Sequence, residues 1–277
     1  MRLTLASLSP TSQKEALEAF QLTAFPKLET LIVGESQVKD LLKDVTLPNI
    51  RSLQATVGGG DYNHHFDISD VSSKLPGLRT CDLKLTGVTT AQLVELLNNP
   101  HLQEVTLNLP TWDYQGDAPV GKSNSQVTKF HIHGAVSSSS NRFSEIYLPK
   151  LQVFAWSDAF DIKPYAIRVQ LQNLLKKSSP ALHTLIFDHI PIKDKTLKET
   201  LTSLSTLHVL KLHATRITDE LIDLLASDTG LCPGLDVLDV NVKKSPHGYP
   251  RITRSALESL KSSRDQTLTI IYNEGRI

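Results

Sequence analysis

One short pattern, apolar-x-x-apolar-x-apolar, returns along almost the whole chain and limits the fold more than any other feature. It runs Leu28-x-x-Leu31-x-Val33, Ile50-x-x-Leu53-x-Ala55, Leu78-x-x-Cys81-x-Leu83, Leu102-x-x-Val105-x-Leu107 and Val127-x-x-Phe130-x-Ile132. It continues as Leu151-x-x-Phe154-x-Trp156, Leu182-x-x-Leu185-x-Phe187, Leu207-x-x-Leu210-x-Leu212 and Leu235-x-x-Leu238-x-Val240. Successive first anchors lie 22 to 31 residues apart. A weaker copy, Leu268-x-Ile270, follows the series, and Leu3-x-Leu5 reads as half a copy before it. Alternation within each segment is the period of a strand with one buried face. Proline stands two residues ahead of the first anchor at Pro26, Pro48, Pro76, Pro100, Pro149, Pro180 and Pro233. A residue with fixed φ and no N–H is tolerated where a strand begins.

Between these segments the period changes. Leu93, Leu96 and Leu97 follow Thr89-Thr90, and Leu221, Leu224 and Leu225 follow Thr218. Leu197, Leu201 and Leu204 follow Asp194, and Ala256, Leu257 and Leu260 follow Thr253. Each is an N-cap residue leading into helical spacing. A further helix is expected over Ser12–Leu22. The chain holds 43 leucines and few aromatics, which suits strand–helix units that bury their apolar faces only by stacking. The expected fold is an α/β leucine-rich solenoid: a curved parallel sheet on the concave side, helices on the convex side, and about ten to eleven irregular repeats. Residues 1–277 are expected to form a single repeat domain. Residues 108–147, with Pro110 and Pro119 and no helical pattern over Asn108–Gln126, are its irregular section.

The run Leu207-His-Val-Leu210-Lys-Leu212-His-Ala-Thr-Arg-Ile217-Thr218-Asp219-Glu-Leu221-Ile-Asp-Leu224-Leu225-Ala226, followed by Cys232-Pro233-Gly234-Leu235, resembles a leucine-rich repeat of the ribonuclease-inhibitor-like, cysteine-containing class. Its Ile-Thr-Asp and Cys-Pro-x-Leu signatures are similar to those of F-box substrate receptors, particularly the large fungal set. The position that such repeats usually give to Asn, Cys or Thr holds Thr86 and Thr215 here, but Gly58, Pro110, Ala135 and Lys243 elsewhere. The resemblance implies the substrate-recognition portion of an F-box-like ubiquitin-ligase receptor. The alternative in the same class is a stand-alone inhibitor or adaptor. An F-box would lie upstream of Leu28, where the sequence reads as half a strand and one helix. The expectation is therefore a repeat region whose F-box has been removed, or a repeat-only relative, with a ligase adaptor as partner only if an upstream F-box exists.

Several function classes are disfavoured. Twenty-nine basic residues balance 29 acidic ones, whereas a polyanion binder clusters Lys and Arg, so no nucleic-acid partner is expected. No apolar run approaches the ~20 residues that span a bilayer, so no membrane is expected either. Two cysteines exclude a disulfide framework and point to a reducing compartment, cytoplasm or nucleus. Both Cys81 and Cys232 read as small buried hydrophobes. Gly116-Asp-Ala-Pro-Val-Gly121-Lys122-Ser123 matches a phosphate-binding loop in its letters. Such a loop needs a strand before it and a helix after it. Here Pro110 ends the preceding strand early and Val127–Ile132 alternates as a strand, so a nucleotide-binding enzyme is the distant alternative. His131 and His133 share one strand face, yet Thr106, Asn108, Ala155 and Ser157 on the flanking strands offer no further metal ligand. No catalytic constellation, metal or cofactor is expected.

The expected site is therefore a surface for a protein or peptide ligand. Between the anchors, one outward column reads Ile32, Gln54, Asp82, Thr106, His131, Ala155, Ile186, Lys211 and Asp239. The next reads Gly34, Thr56, Lys84, Asn108, His133, Ser157, Asp188, His213 and Asn241. From these, His131, His133, Asp188, Lys211 and His213 are the candidate partner contacts, with Lys211 and Asp239 both expected to be exposed. Loops after the strands add Tyr62, His64, His65 and Phe66, then Trp112 and Tyr114, then His247 and Tyr249. Aromatics in polar loops anchor interfaces, so Tyr62, His64, Trp112, Tyr114 and Tyr249 complete the candidate set along one rim. For Trp112 the other reading is a lid folded over the irregular section. Either the concave face or the rim would bind.

Overall fold

The computed structural model describes residues 2–4, 11–12, 15, 27–33, 46–56, 68–84, 90–108, 125–134, 143, 146–158, 164–178, 181–242, 252–264 and 267–274. Eleven strands form one parallel sheet in simple sequence order. They are β1 (Arg2–Thr4), β2 (Thr30–Val33), β3 (Ser52–Thr56), β4 (Thr80–Lys84), β5 (Glu104–Asn108) and β6 (Lys129–His133). They continue as β7 (Val153–Ser157), β8 (Thr184–Asp188), β9 (Val209–His213), β10 (Val237–Val242) and β11 (Thr269–Glu274). Six helices among the described residues connect them: α1 (Ile68–Lys74), α2 (Thr90–Leu97), α3 (Pro164–Ser178), α4 (Asp194–Leu201), α5 (Asp219–Ser227) and α6 (Arg254–Ser263). The sheet does not close on itself, and the architecture is the expected α/β solenoid. No described helix is long and apolar enough to cross a membrane.

Every anchor of the nine full segments is buried, from Leu28 to Val240. The pairing register places the anchors side by side: Leu31 with Leu53, Leu53 with Cys81, and so on to Leu210 with Leu238. The weak terminal copy slips by two residues. Ile270, not Leu268, pairs with Leu238, and Tyr272 stands beside Val240. A shift of two keeps the same face buried, which is why the pattern was readable although its register was not.

The described prolines Pro48, Pro76, Pro100, Pro149 and Pro233 do not open the strands. They sit one turn earlier, where the N–H of each first anchor closes back three residues: Ile50 to the Leu47 carbonyl (3.2 Å), Leu78 to Leu75 (3.1 Å), Leu102 to Asn99 (3.2 Å), Leu151 to Leu148 (3.2 Å) and Leu235 to Cys232 (3.1 Å). Pro48, Pro76, Pro100, Pro149 and Pro233 fill the second position of these turns, which their fixed φ favours. Gly77 follows Pro76 because a Cβ there would lie 2.5 Å from the Pro48 carbonyl oxygen. After the turn, one carbonyl per repeat accepts two amides from the next. Arg51 and Ser52 donate to Glu29, Arg79 and Thr80 to Arg51, and His208 and Val209 to His183. The stack is thus tied by backbone before the sheet begins.

The Ile-Thr-Asp signature acquires a physical meaning here. Ile217 is buried, Thr218 caps α5 by accepting from the Glu220 amide, and Asp219 reaches into the next repeat. Its carboxylate accepts from the Thr253 amide (2.7 Å) and hydroxyl (2.8 Å), while Thr253 caps α6 through the Ala256 amide. One repeat earlier, Asp194 accepts in the same way from the amide (2.9 Å) and hydroxyl (2.8 Å) of Thr218. Asp194 is therefore not the cap of α4. The cap position is Lys193, which makes no side-chain capping bond, and Asp194 serves the following helix instead. After α6, Arg264 donates to the carbonyls of Leu225 (3.0 Å), Asp228 (3.2 Å), Leu231 (2.5 Å) and Cys232 (2.9 Å). One guanidinium thereby ties the end of α5 to the turn that follows it.

Among the described residues, no helix lies between β5 and β7. The core there is aromatic: Phe130, Phe143, Phe154 and Trp156 are fully buried, with Phe143 and Trp156 edge-to-face at 5.6 Å. Trp156 Nε1 donates to the Gly134 carbonyl (3.3 Å). Helix α3 sends two buried polar side chains back to this stretch. Gln170 accepts from the Phe143 amide (3.0 Å) and Ser178 from the Leu148 amide (2.9 Å). Apart from helical Thr11, Ser12 and Glu15, the expected Ser12–Leu22 helix lies outside the described residues.

Candidate functional site

The helices cover one face of the sheet and leave the other open. Side chains of the two expected columns stand on that open face in register. His131 pairs with Thr106 and Ala155, and Lys211 with Ile186 and Asp239. His133 stands beside Asn108 and Ser157, and Asp188 beside Ser157 and His213.

Four successive strands end in the same way. The residue after each adopts positive φ: Gly134 (105°), Asp158 (58°), His189 (55°) and Ala214 (48°). The amides of Gly134, Asp158 and His189 still donate to Ser157, Asp188 and His213 at 2.8, 2.9 and 2.9 Å. The ladder therefore runs one residue past the strands before the chain turns off the sheet. Asp and His accept this conformation more readily than most side chains, while Ala214 meets the usual Cβ–carbonyl crowding. The turn brings Asp158 and His189 to the strand ends beside the second column.

The result is a ridge of imidazoles and carboxylates across β6–β10. His133 Nδ1 lies 2.5 Å from Ser157 Oγ and 3.9 Å from Asp158 Oδ2. His189 Nδ1 lies 2.8 Å from Asp188 Oδ1 and 3.9 Å from Asp158 Oδ1. His213 Nε2 lies 3.1 Å from Asp239 Oδ1, and Lys211 Nζ lies 4.0 Å from Asp239 Oδ2. Asp239, expected to be exposed, is buried (9%), because Lys211 and His213 close over it. His131 Nε2 is shielded from solvent and has no hydrogen-bond partner among the described residues. Burial, reinforced by the neighbouring His133, holds the His131 pKa below its ordinary value.

Ser157, His133 and Asp158 do not form a nucleophile relay. Serine and carboxylate both approach the same ring nitrogen, whereas a relay needs one on each. Among the described residues, no group of three or more His, Cys, Asp or Glu side chains is arranged to hold a metal ion. Both cysteines are buried. Burial pushes the Cys81 thiol up and raises that of Cys232 to about 11, against the pull of Arg264. Thiolate chemistry is suppressed at both.

Of the residues singled out in the sequence, the structure brings His131, His133, Asp188, Lys211 and His213 onto this one face. Tyr62, His64, His65, Phe66, Trp112, Tyr114, His247 and Tyr249 lie outside the described residues, as does the Gly116–Ser123 loop. Ser125–Thr128 are not helical and lead into β6, so they are not the helix that a phosphate-binding loop requires. Sequence reasoning missed Asp158 and His189. Their signal was only a polar residue one place beyond each outward column, without the glycine that marks Gly134. The sequence matches no family model and no curated protein.

Proposed function

We propose that the chain is a protein-interaction scaffold of the leucine-rich, ribonuclease-inhibitor-like class, and the substrate-recognition portion of an F-box-like ubiquitin-ligase receptor. The observation that carries the binding role is the open face of an eleven-stranded parallel sheet. Parallel sheets are ordinarily covered on both faces. Here one face packs on helices while the other presents aligned rows of half-exposed side chains, His131, His133, Asp188, Lys211 and His213 among them. Rigid strands hold these groups at fixed spacing, so a partner meets them without an ordering cost. The class assignment is supported by the threonine-capped helices and the aspartate that ties each cap to its neighbour. The receptor role rests on the resemblance of the Ile-Thr-Asp and Cys-Pro-x-Leu stretches.

Photo-crosslinkers placed singly at Gln54, Thr106, Ala155 and Val209 on the open face, and at Lys198 and Glu220 on the helices, test both parts in cells. The expected result is protein capture from the open face and not from the helices, with the captured protein carrying ubiquitin. Equal capture from both faces, or from the helices alone, overturns the scaffold reading. Capture from the open face of a protein that never carries ubiquitin removes the receptor role.

A further inference from the structure

The open face is not uniform. On β3–β6 its two inner columns hold Ser52, Gln54, Thr80, Asp82, Glu104, Thr106, Lys129 and His131. On β7–β10 the same positions hold Val153, Ala155, Ile186, Val209 and Val237, interrupted by Thr184 and by the Lys211–Asp239 pair. On β11 the row continues with Ile271, which is 41% exposed. These aliphatics do not serve the core. The core is filled by the alternate anchors, and strand alternation sends their neighbours to the opposite face. Five half-buried aliphatic side chains thus lie together on an outer sheet face whose neighbouring half is polar, and contiguous apolar surface of this kind favours a covering partner.

Charge on this half is also one-sided. Asp158 and Asp188 border the patch at the strand ends, with side chains 54% and 40% exposed. Asp236, 61% exposed, stands at the opposite rim against His208 (2.8 Å). The cation within the patch, Lys211, lies beside Asp239. Asp158, Asp188, Asp236 and Asp239 thus border or enter the patch beside a single lysine and the imidazoles that approach them. A partner that covers the aliphatics also strips water from the exposed carboxylates, which is unfavourable unless it brings positive charge.

We infer that the β7–β10 half of the open face docks a protein segment carrying an aliphatic side chain beside a lysine or arginine. The aliphatic residue covers Ile186 and its neighbours while the cation meets Asp158 and Asp188. Ile186 and Asp188 are two residues apart on one strand, about 7 Å, so the two ligand groups need that separation, as at i and i+2 of an extended segment. This rests on the scaffold reading and names the partner chemistry of its open face.

Random twelve-residue peptides displayed on phage and selected on the full chain provide the probe, with affinities then measured by fluorescence polarisation on the enriched sequences. Enrichment of aliphatic-x-Lys or aliphatic-x-Arg is expected. Binding should weaken about tenfold or more with Ile186→Asp and with Asp158→Asn/Asp188→Asn, and stay unchanged with Gln54→Ala/Thr106→Ala. Asn also tolerates the left-handed backbone at 158, and melting curves establish that each variant folds. As a second arm, Asp158→Lys/Asp188→Lys should redirect selection to acidic peptides. Enrichment of acidic or wholly polar peptides by the native chain overturns the inference, as does a selection that enriches nothing. Peptides that depend on Gln54 and Thr106 but not on Ile186 overturn it while leaving the scaffold reading standing. Peptides indifferent to every open-face variant sink both.

Discussion

The stretch from β5 to β7 and the stretch from β8 to β11 solve one packing problem in two ways. From β8 to β10, each strand is followed by a helix whose leucines, such as Leu197, Leu221 and Leu257, lie under the sheet. Those helices are joined by the Asp194–Thr218 and Asp219–Thr253 contacts. Between β5 and β7 no described helix supplies such leucines, and Phe130, Phe143, Phe154 and Trp156 occupy the core instead. Cores must be filled to near-crystal density whatever the source of the volume. Among the described residues, larger rings thus fill the space that helical leucines fill elsewhere. In this stretch, Gln170 and Ser178 of α3 accept from the Phe143 and Leu148 amides across the repeat boundary.

The sharpest way to break this comparison is to remove a ring. Trp156→Ala should cost ~3–5 kcal/mol in denaturant unfolding, and Leu210→Ala in a regular repeat ~2–5 kcal/mol. A Trp156 variant that loses less than the leucine variant would mean the aromatic section is loosely filled. Next in size is Gln170→Leu, which keeps volume but strands the Phe143 amide. A loss of about 1–3 kcal/mol is expected, and a neutral result would show that the amide finds another partner.

On the regular side, Asp219→Ala and Thr253→Ala should each cost about 1 kcal/mol, through the lost cap and inter-repeat bonds. Their double-mutant cycle should give a coupling of ~0.5 kcal/mol or more. Strict additivity would show that the two side chains do not act as one contact. The smallest effect concerns His131. Its folded-state pKa is depressed by burial first and by His133 second, with Lys129 acting in the same sense and Glu104 against them. The unfolded chain therefore takes up this proton at higher pH than the folded one, so stability falls as pH drops through about 6.5. His131→Gln should lose less melting temperature between pH 7.5 and pH 5.5 than the native chain. An identical loss would mean that other groups carry the acid sensitivity.

Much of the architecture was legible because it is local. Alternation marks a strand wherever it occurs, and Leu207-x-x-Leu210-x-Leu212 would read as one in any context. Helix α3 is equally legible in Ile167, Leu171, Leu174 and Leu175 at helical spacing, whereas the burial of its Gln170 and Ser178 is not. The candidate site was half legible. His131, His133, Asp188, Lys211 and His213 were placed by strand parity, whereas Asp158 and His189 depend on a left-handed turn that no glycine announced.

By itself, then, the sequence determined the strand series, the buried face of each strand and the helices with threonine caps, since these follow from neighbours within one turn or one pleat. Only the tertiary structure decided that Asp194 serves Thr218 rather than its own helix, that Asp239 is enclosed by Lys211 and His213, and that Gln170 meets Phe143. Those partners lie in adjacent repeats about 24 to 28 residues apart. Their meeting is set by how the repeats stack, and no local period encodes it.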